Sequence, residues 1–178
     1  MTNAVVLIEA ERDALSSLGG ALADIEGVAE AYSVTGEWDF VAIVRVQAHY
    51  PDGTLKYSYA VNPLQLPPYR GASSGELPIY ATGYARQLLR RFPGAVLRGE
   101  GKTRVNKVPA YQVLYTAPVG GRQMYGRNVL LLPERAGARR GVEIVMLTAV
   151  GATSEVKEPG EVASGGVLLR PLKTFSFG

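Results

Sequence analysis

The sequence predicts an α+β protein: a strand–helix–strand–hairpin–strand unit, then a helix and an antiparallel β meander. Three observations carry this expectation. Hydrophobic periodicity switches from strand to helix and back between Val5 and Val46. A helical stretch at Ile79–Phe92 then precedes a series of apolar stretches separated by turn residues. Charge and proline usage also divide the chain. Residues 1–48 hold eight acids and two bases, residues 49–178 hold eight acids and seventeen bases, and all eleven prolines follow position 50. Two units of different role are therefore expected, 1–48 and a basic α+β domain over 49–178.

The first unit reads in order. Val5 to Ile8 is a short apolar run of the kind buried on both faces of a sheet. Ala14, Leu15, Leu18, Ala21, Leu22 and Ile25 then recur at helical spacing. Glu11 and Asp13 sit in the first turn, where the helix dipole favours anions, and Gly27 marks the stop. Gly19-Gly20 inside this helix costs about 1–2 kcal/mol of propensity against alanine. Val28 to Val34 alternates as a strand. Gly36-Glu37-Trp38-Asp39 turns the chain, and Phe40 to Val46 is a second buried strand interrupted by Arg45.

The stretch from Val6 to Val46, with Gly27-Val28 closing the helix and "YSVTGEWDF" at Tyr32–Phe40, resembles the effector-binding domain of the leucine- and asparagine-responsive regulators (Lrp/AsnC). The resemblance implies a ferredoxin-like β-α-β-β unit that pairs into a dimeric α/β barrel. It also implies a small ligand of amino-acid type held between dimers. Its hairpin loop maps ligand contacts onto Thr35, Gly36, Trp38 and Asp39. By pattern alone the same loop is simply a turn, with Asp39 bonding loop amides. The match stops near Ala48, before the second helix and fourth strand of the family, so the unit is a partial one. No DNA-reading helix-turn-helix precedes Val6, so direct DNA binding is not expected. Self-association through residues 4–48 is.

The second unit starts with a turn at Tyr50-Pro51-Asp52-Gly53. Leu55, Tyr57 and Tyr59 alternate as a strand. Pro63, Pro67 and Pro68 then predict an irregular stretch, and residues 71–75 a flexible one. After the helix, strands are expected at Ala95–Gly99, Val108–Thr116, Met124–Leu132 and Val142–Val150, with turns at Gly99–Lys107, Pro118–Arg122 and Pro133–Gly141. "VPAYQVLYTA" (Val108–Ala117), "GVEIVMLTA" (Gly141–Ala149) and the terminal "LKTFSFG" (Leu172–Gly178), read as strands, resemble the PsbP-like fold. That resemblance carries no site.

Several chemistries are excluded or unsupported. There is no cysteine and one histidine, His49, so disulfides, cysteine–zinc sites, iron–sulfur clusters and multi-histidine metal centres are ruled out. No apolar run approaches the roughly 18 residues of a membrane span, and no basic leader opens the chain. The cytoplasm is the expected location, and no membrane partner is expected. "GEGKT" at Gly99–Thr103 is not a phosphate loop, because Val96 stands where the motif requires glycine and no helix follows the lysine. A basic hairpin turn is expected there. His49 beside Asp52 lacks a nucleophile, and Arg86 and Arg90 on one helical face read as a solvated surface.

The sequence therefore points to a non-enzymatic sensing or assembly domain that requires no metal or nucleotide cofactor. Two alternatives stay open. One is an accessory or binding protein of PsbP-like type with its function in residues 49–178. The other is a fusion of two unrelated gene fragments.

Overall fold

The computed structural model describes residues 6–8, 20, 30–33, 40–43, 45–67, 73–134, 138–153 and 155–177. Two antiparallel sheets organise them. The smaller contains β1 (Val6–Ile8), β2 (Glu30–Ser33) and β3 (Phe40–Ile43) in the order β1-β3-β2. Val6 lies opposite Ala42, and Ser33 opposite Phe40. The first strand beside the third is the arrangement expected of the β-α-β-β unit. Of its helix only Gly20 is among the described residues, and it is helical.

The expected strand Phe40–Val46 is two strands. β3 ends at Ile43, and β4 (Arg45–His49) belongs to the larger sheet, where it pairs with β5 (Leu55–Gln65). Arg45, the charge that interrupts the apolar run, opens β4 and pairs with Ala60. β5 passes straight through Pro63, against the expectation of an irregular stretch. β4 pairs only with Leu55–Ala60, so among the described residues β9 (Arg140–Ala149) is the hydrogen-bonded neighbour of β5 at Pro63. The N–H that proline lacks is not needed on an uncovered edge.

β6 (Val96–Val105), β7 (Val108–Val119), β8 (Arg122–Leu131) and β9 form the expected meander. The full order of the larger sheet is β4-β5-β9-β8-β7-β6. Two-residue turns join β6 to β7 and β7 to β8. Asn106 and Lys107 have φ of 41° and 75°, and Gly120 and Gly121 have φ of 57° and 79°. Both central residues at positive φ give the turn whose twist matches a β hairpin. Gly99–Thr103 therefore lies within β6, not in a turn. The turn sits at Asn106-Lys107 instead; the strand expected at Ala95–Gly99 runs on to Val105, through glycines and charges that carry no apolar alternation.

The helix α1 (Ser73–Arg91) crosses one face of the larger sheet and connects β5 to β6. It begins six residues before the expected start and includes part of the stretch expected to be flexible. Pro78 is accommodated inside it at the cost of one backbone donor. Leu77, Ala81, Ala85 and Leu88 are buried at helical spacing. They pack against Leu64, Leu66, Val113, Leu130, Tyr115, Ala117 and Met124.

The opposite face is covered by the C-terminal segment. Val162, Ala163, Leu168 and Leu172 pack on Tyr59, Val61, Val129, Leu131, Ile144 and Met146. The strand expected at Leu172–Gly178 is not formed. α2 (Gly166–Thr174) takes its place and buries Leu168 and Leu172 four residues apart, with Phe175 and Phe177 meeting edge to face just beyond. Arg127 holds this segment. Its guanidinium donates to the Val162 carbonyl at 3.0 Å, to Gln112 Oε1 at 3.0 Å and to Thr103 Oγ1 at 3.3 Å. Burial lowers the pKa of Arg127 from its ordinary value.

A surface clip fastens the β4–β5 turn to the β7–β8 turn. Asp52 Oδ1 accepts from the Thr54 amide at 2.9 Å and its hydroxyl at 2.5 Å, and Arg122 donates to Asp52 Oδ2 at 2.7 Å. The guanidinium also lies 4.3 Å from the Tyr50 ring centroid, a cation–π contact. The Thr54 bonds first, and Arg122 after them, hold the Asp52 carboxyl down at about 2. A carboxyl depressed in the folded state stabilises above its unfolded pKa. That contribution is lost as pH falls through about 2. Thr54→Val and Arg122→Ala are each expected to raise the Asp52 pKa, as read by carboxyl carbon NMR titration.

Candidate functional site

The smaller sheet positions the hairpin onto which the family resemblance maps ligand contacts. Pairing of β2 with β3, closed by Ser33 opposite Phe40, leaves residues 34–39 to join the two strands. Thr35, Gly36, Trp38 and Asp39 fall in that interval and lie outside the described residues. Their flanking strands are described, and these pair antiparallel, as a hairpin requires.

A second constellation, not anticipated from sequence, lies between α1 and the larger sheet. Glu143 on β9 carries it. Its Oε1 accepts from the Tyr84 hydroxyl and from Asn128 Nδ2, the latter at 3.1 Å. Its Oε2 accepts from Asn62 Nδ2 at 3.3 Å. Asn128 Nδ2 also donates to the Tyr84 oxygen, and Asn128 Oδ1 accepts from the Tyr115 hydroxyl at 3.0 Å. Tyr115 and Asn128 are fully buried, while Glu143, Tyr84 and Asn62 are half-buried. Four elements, β5, α1, β8 and β9, thus meet on one carboxylate, with β7 joined through Tyr115.

The electrostatics fix the protonation of the phenols. Burial, and then the Glu143 carboxylate, push the Tyr84 and Tyr115 hydroxyls far above the ordinary phenol pKa. Tyr80, whose ring stacks on Tyr84 at 6.4 Å, is raised for the same two reasons. Both buried phenols are therefore donors at every physiological pH. Because both oxygens of Glu143 are engaged by protein donors, this carboxylate serves as a structural acceptor that fastens α1 to the sheet. The signal in the sequence is slight: Glu143 and Asn128 are single polar residues inside apolar strands.

The remaining candidates from the sequence separate. His49 is exposed on β4, while Asp52 spends both oxygens on Thr54 and Arg122. Arg86 and Arg90 are exposed on α1. Among the described residues no group of three metal-ligating side chains comes together, and no helix is long and apolar enough to cross a membrane.

No curated protein matches the chain. Among solved structures, a Pseudomonas aeruginosa protein of unknown function, described as a candidate regulator, is similar at 19% identity and a TM-score of 0.45. The similarity covers 83% of this chain and 96% of that one. Residues 3–49 of the chain match the Lrp/AsnC ligand binding domain.

Proposed function

We propose that this chain is a non-enzymatic regulatory sensing protein whose first unit, residues 1–48, binds a small ligand of amino-acid type and self-associates. The family match over residues 3–49 is the observation that carries the reading. The β1-β3-β2 order supports it, because this topology presents the β2–β3 hairpin at the end of the sheet. In this reading Thr35, Gly36, Trp38 and Asp39 line the ligand site. Gly36 lets the ligand approach the backbone. Trp38 supplies apolar contact area. Asp39 accepts from an ammonium group, a charge-assisted bond worth about 1.5–3 kcal/mol.

In this reading the protein works in the cytoplasm. The experiment is calorimetric titration of the twenty amino acids into the protein and into Asp39→Ala. The substitution is expected to weaken binding by roughly ten- to a hundredfold while leaving the melting curve in place. Unchanged affinity in Asp39→Ala removes the hairpin from the site.

A further inference from the structure

We propose that the free edge of β6, with the flank of α1 beside it, binds an extended acidic segment of a partner protein and incorporates it as an added strand. β6 closes one side of the larger sheet with β7 as its neighbour, and among the described residues no strand lies beyond it. The two-residue turn at Asn106-Lys107 makes Val105 and Val108 a hydrogen-bonded pair. Ladder bonding alternates from there. The backbone N–H and C=O of Arg104, Lys102 and Glu100 therefore point away from β7. An uncovered strand of 10 residues is a long template.

The helix supplies a second wall. Thr82 Oγ1 donates to Glu100 Oε1 at 3.1 Å, which identifies the flank of α1 that overlooks β6. Helical spacing places Ile79 and Arg86 on that flank too. Ile79 is 67% exposed, and Leu97 on the strand, paired with Tyr115 on the α1 face, is 38% exposed. An uncovered strand edge beside a helix is the geometry of peptide recognition by strand addition.

Charge selects the occupant. Arg86, Lys102, Arg104 and Lys107 are exposed here, and the acid among them, Glu100, is bonded to Thr82. A second copy's β6 would bring two basic rows together, which disfavours self-pairing. An acidic extended segment carrying apolar side chains at alternate positions satisfies the backbone, the apolar wall and the charge together.

The test is fluorescence anisotropy of the full chain with a labelled ten-residue peptide alternating valine and glutamate. A valine–lysine peptide and a ten-nucleotide single-stranded DNA serve as comparisons. The acidic peptide is expected to saturate, and the basic one to bind at least tenfold more weakly. Lys102→Pro removes one outward N–H without touching the β7 ladder and is expected to weaken binding at least tenfold. Lys102→Thr, which keeps that N–H, is expected to weaken it less, and Lys173→Glu on α2 not at all. Melting curves check that each variant is folded. The proposal is overturned by equal binding of both peptides, by no binding, or by a folded Lys102→Pro that binds normally. It is also overturned if the DNA binds as tightly as the acidic peptide, or if β6 instead forms a dimer that Lys102→Pro dissolves.

Discussion

Gly126→Ala is expected to be a strongly damaging single-methyl change in the larger sheet. Gly126 on β8 pairs with Tyr115 on β7, and the Tyr115 ring lies across the glycine to reach Asn128. A Cβ at position 126 would stand closer than 3.0 Å to three ring carbons of Tyr115. The ring is fully buried, so it has no room to retreat. Overpacking alone costs about 1–3 kcal/mol. Displacing the phenol also breaks its bond to Asn128 and leaves a buried hydroxyl without its acceptor, at about 1–3 kcal/mol more. A loss of about 3 kcal/mol or more should appear in urea denaturation, with Tm falling by roughly 6–12 °C. A second change in the same chain, Tyr115→Leu, is expected to recover part of the loss by vacating the space above residue 126.

The other large effect is expected from Glu143→Ala. The carboxylate gathers donors from Tyr84, Asn128 and Asn62; its removal strands those of Tyr84 and Asn62 beneath α1 and leaves Asn128 Nδ2 the Tyr84 oxygen. About 2 kcal/mol or more of stability should be lost, since each half-buried donor left unpaired costs on the order of 1 kcal/mol or more. Glu143→Gln keeps an acceptor for Tyr84 and should lose less. A purely steric role would not move the phenols. The carboxylate's charge is one of the causes that raise Tyr84 and Tyr115, so an alkaline absorbance titration of Glu143→Gln should show both ionising at lower pH than in the parent protein.

What can be read from the sequence follows from which forces act locally. The β7, β8 and β9 strands carry apolar runs bounded by turn residues because both faces of the sheet are covered, and these runs locate them to within a few residues. The second part of β6 carries Gly99, Gly101, Lys102 and Arg104 and reads as a turn, because its half-buried positions are filled by glycine and threonine rather than by apolar side chains. The division of Phe40–Val46 between two sheets is a tertiary event, and only Arg45 hints at it. α2 is hidden by Pro171 and by phenylalanines that look strand-like, although Leu168 and Leu172 hold helical spacing. The Glu143 network cannot be read at all. Its members lie 59 and 81 residues apart for Tyr84 and Asn62, so only folding brings them together. The ligand residues of the hairpin come from family resemblance, since glycine and aspartate in a turn carry no ligand information of their own.

Sensing of an amino-acid-like ligand at the hairpin is the role proposed for the first unit, and Trp38 gives it a built-in reporter. Trp38 is the single tryptophan of the chain, so fluorescence excited selectively at indole reports that hairpin alone. Each of the twenty amino acids, titrated up to millimolar concentration against Trp38 emission, puts the role to the test. A saturable change is expected with at least one amino acid, abolished or shifted at least tenfold in Asp39→Ala. Emission unaltered by all twenty, with no heat of binding in the same samples, would refute the sensing role and leave the hairpin as a turn.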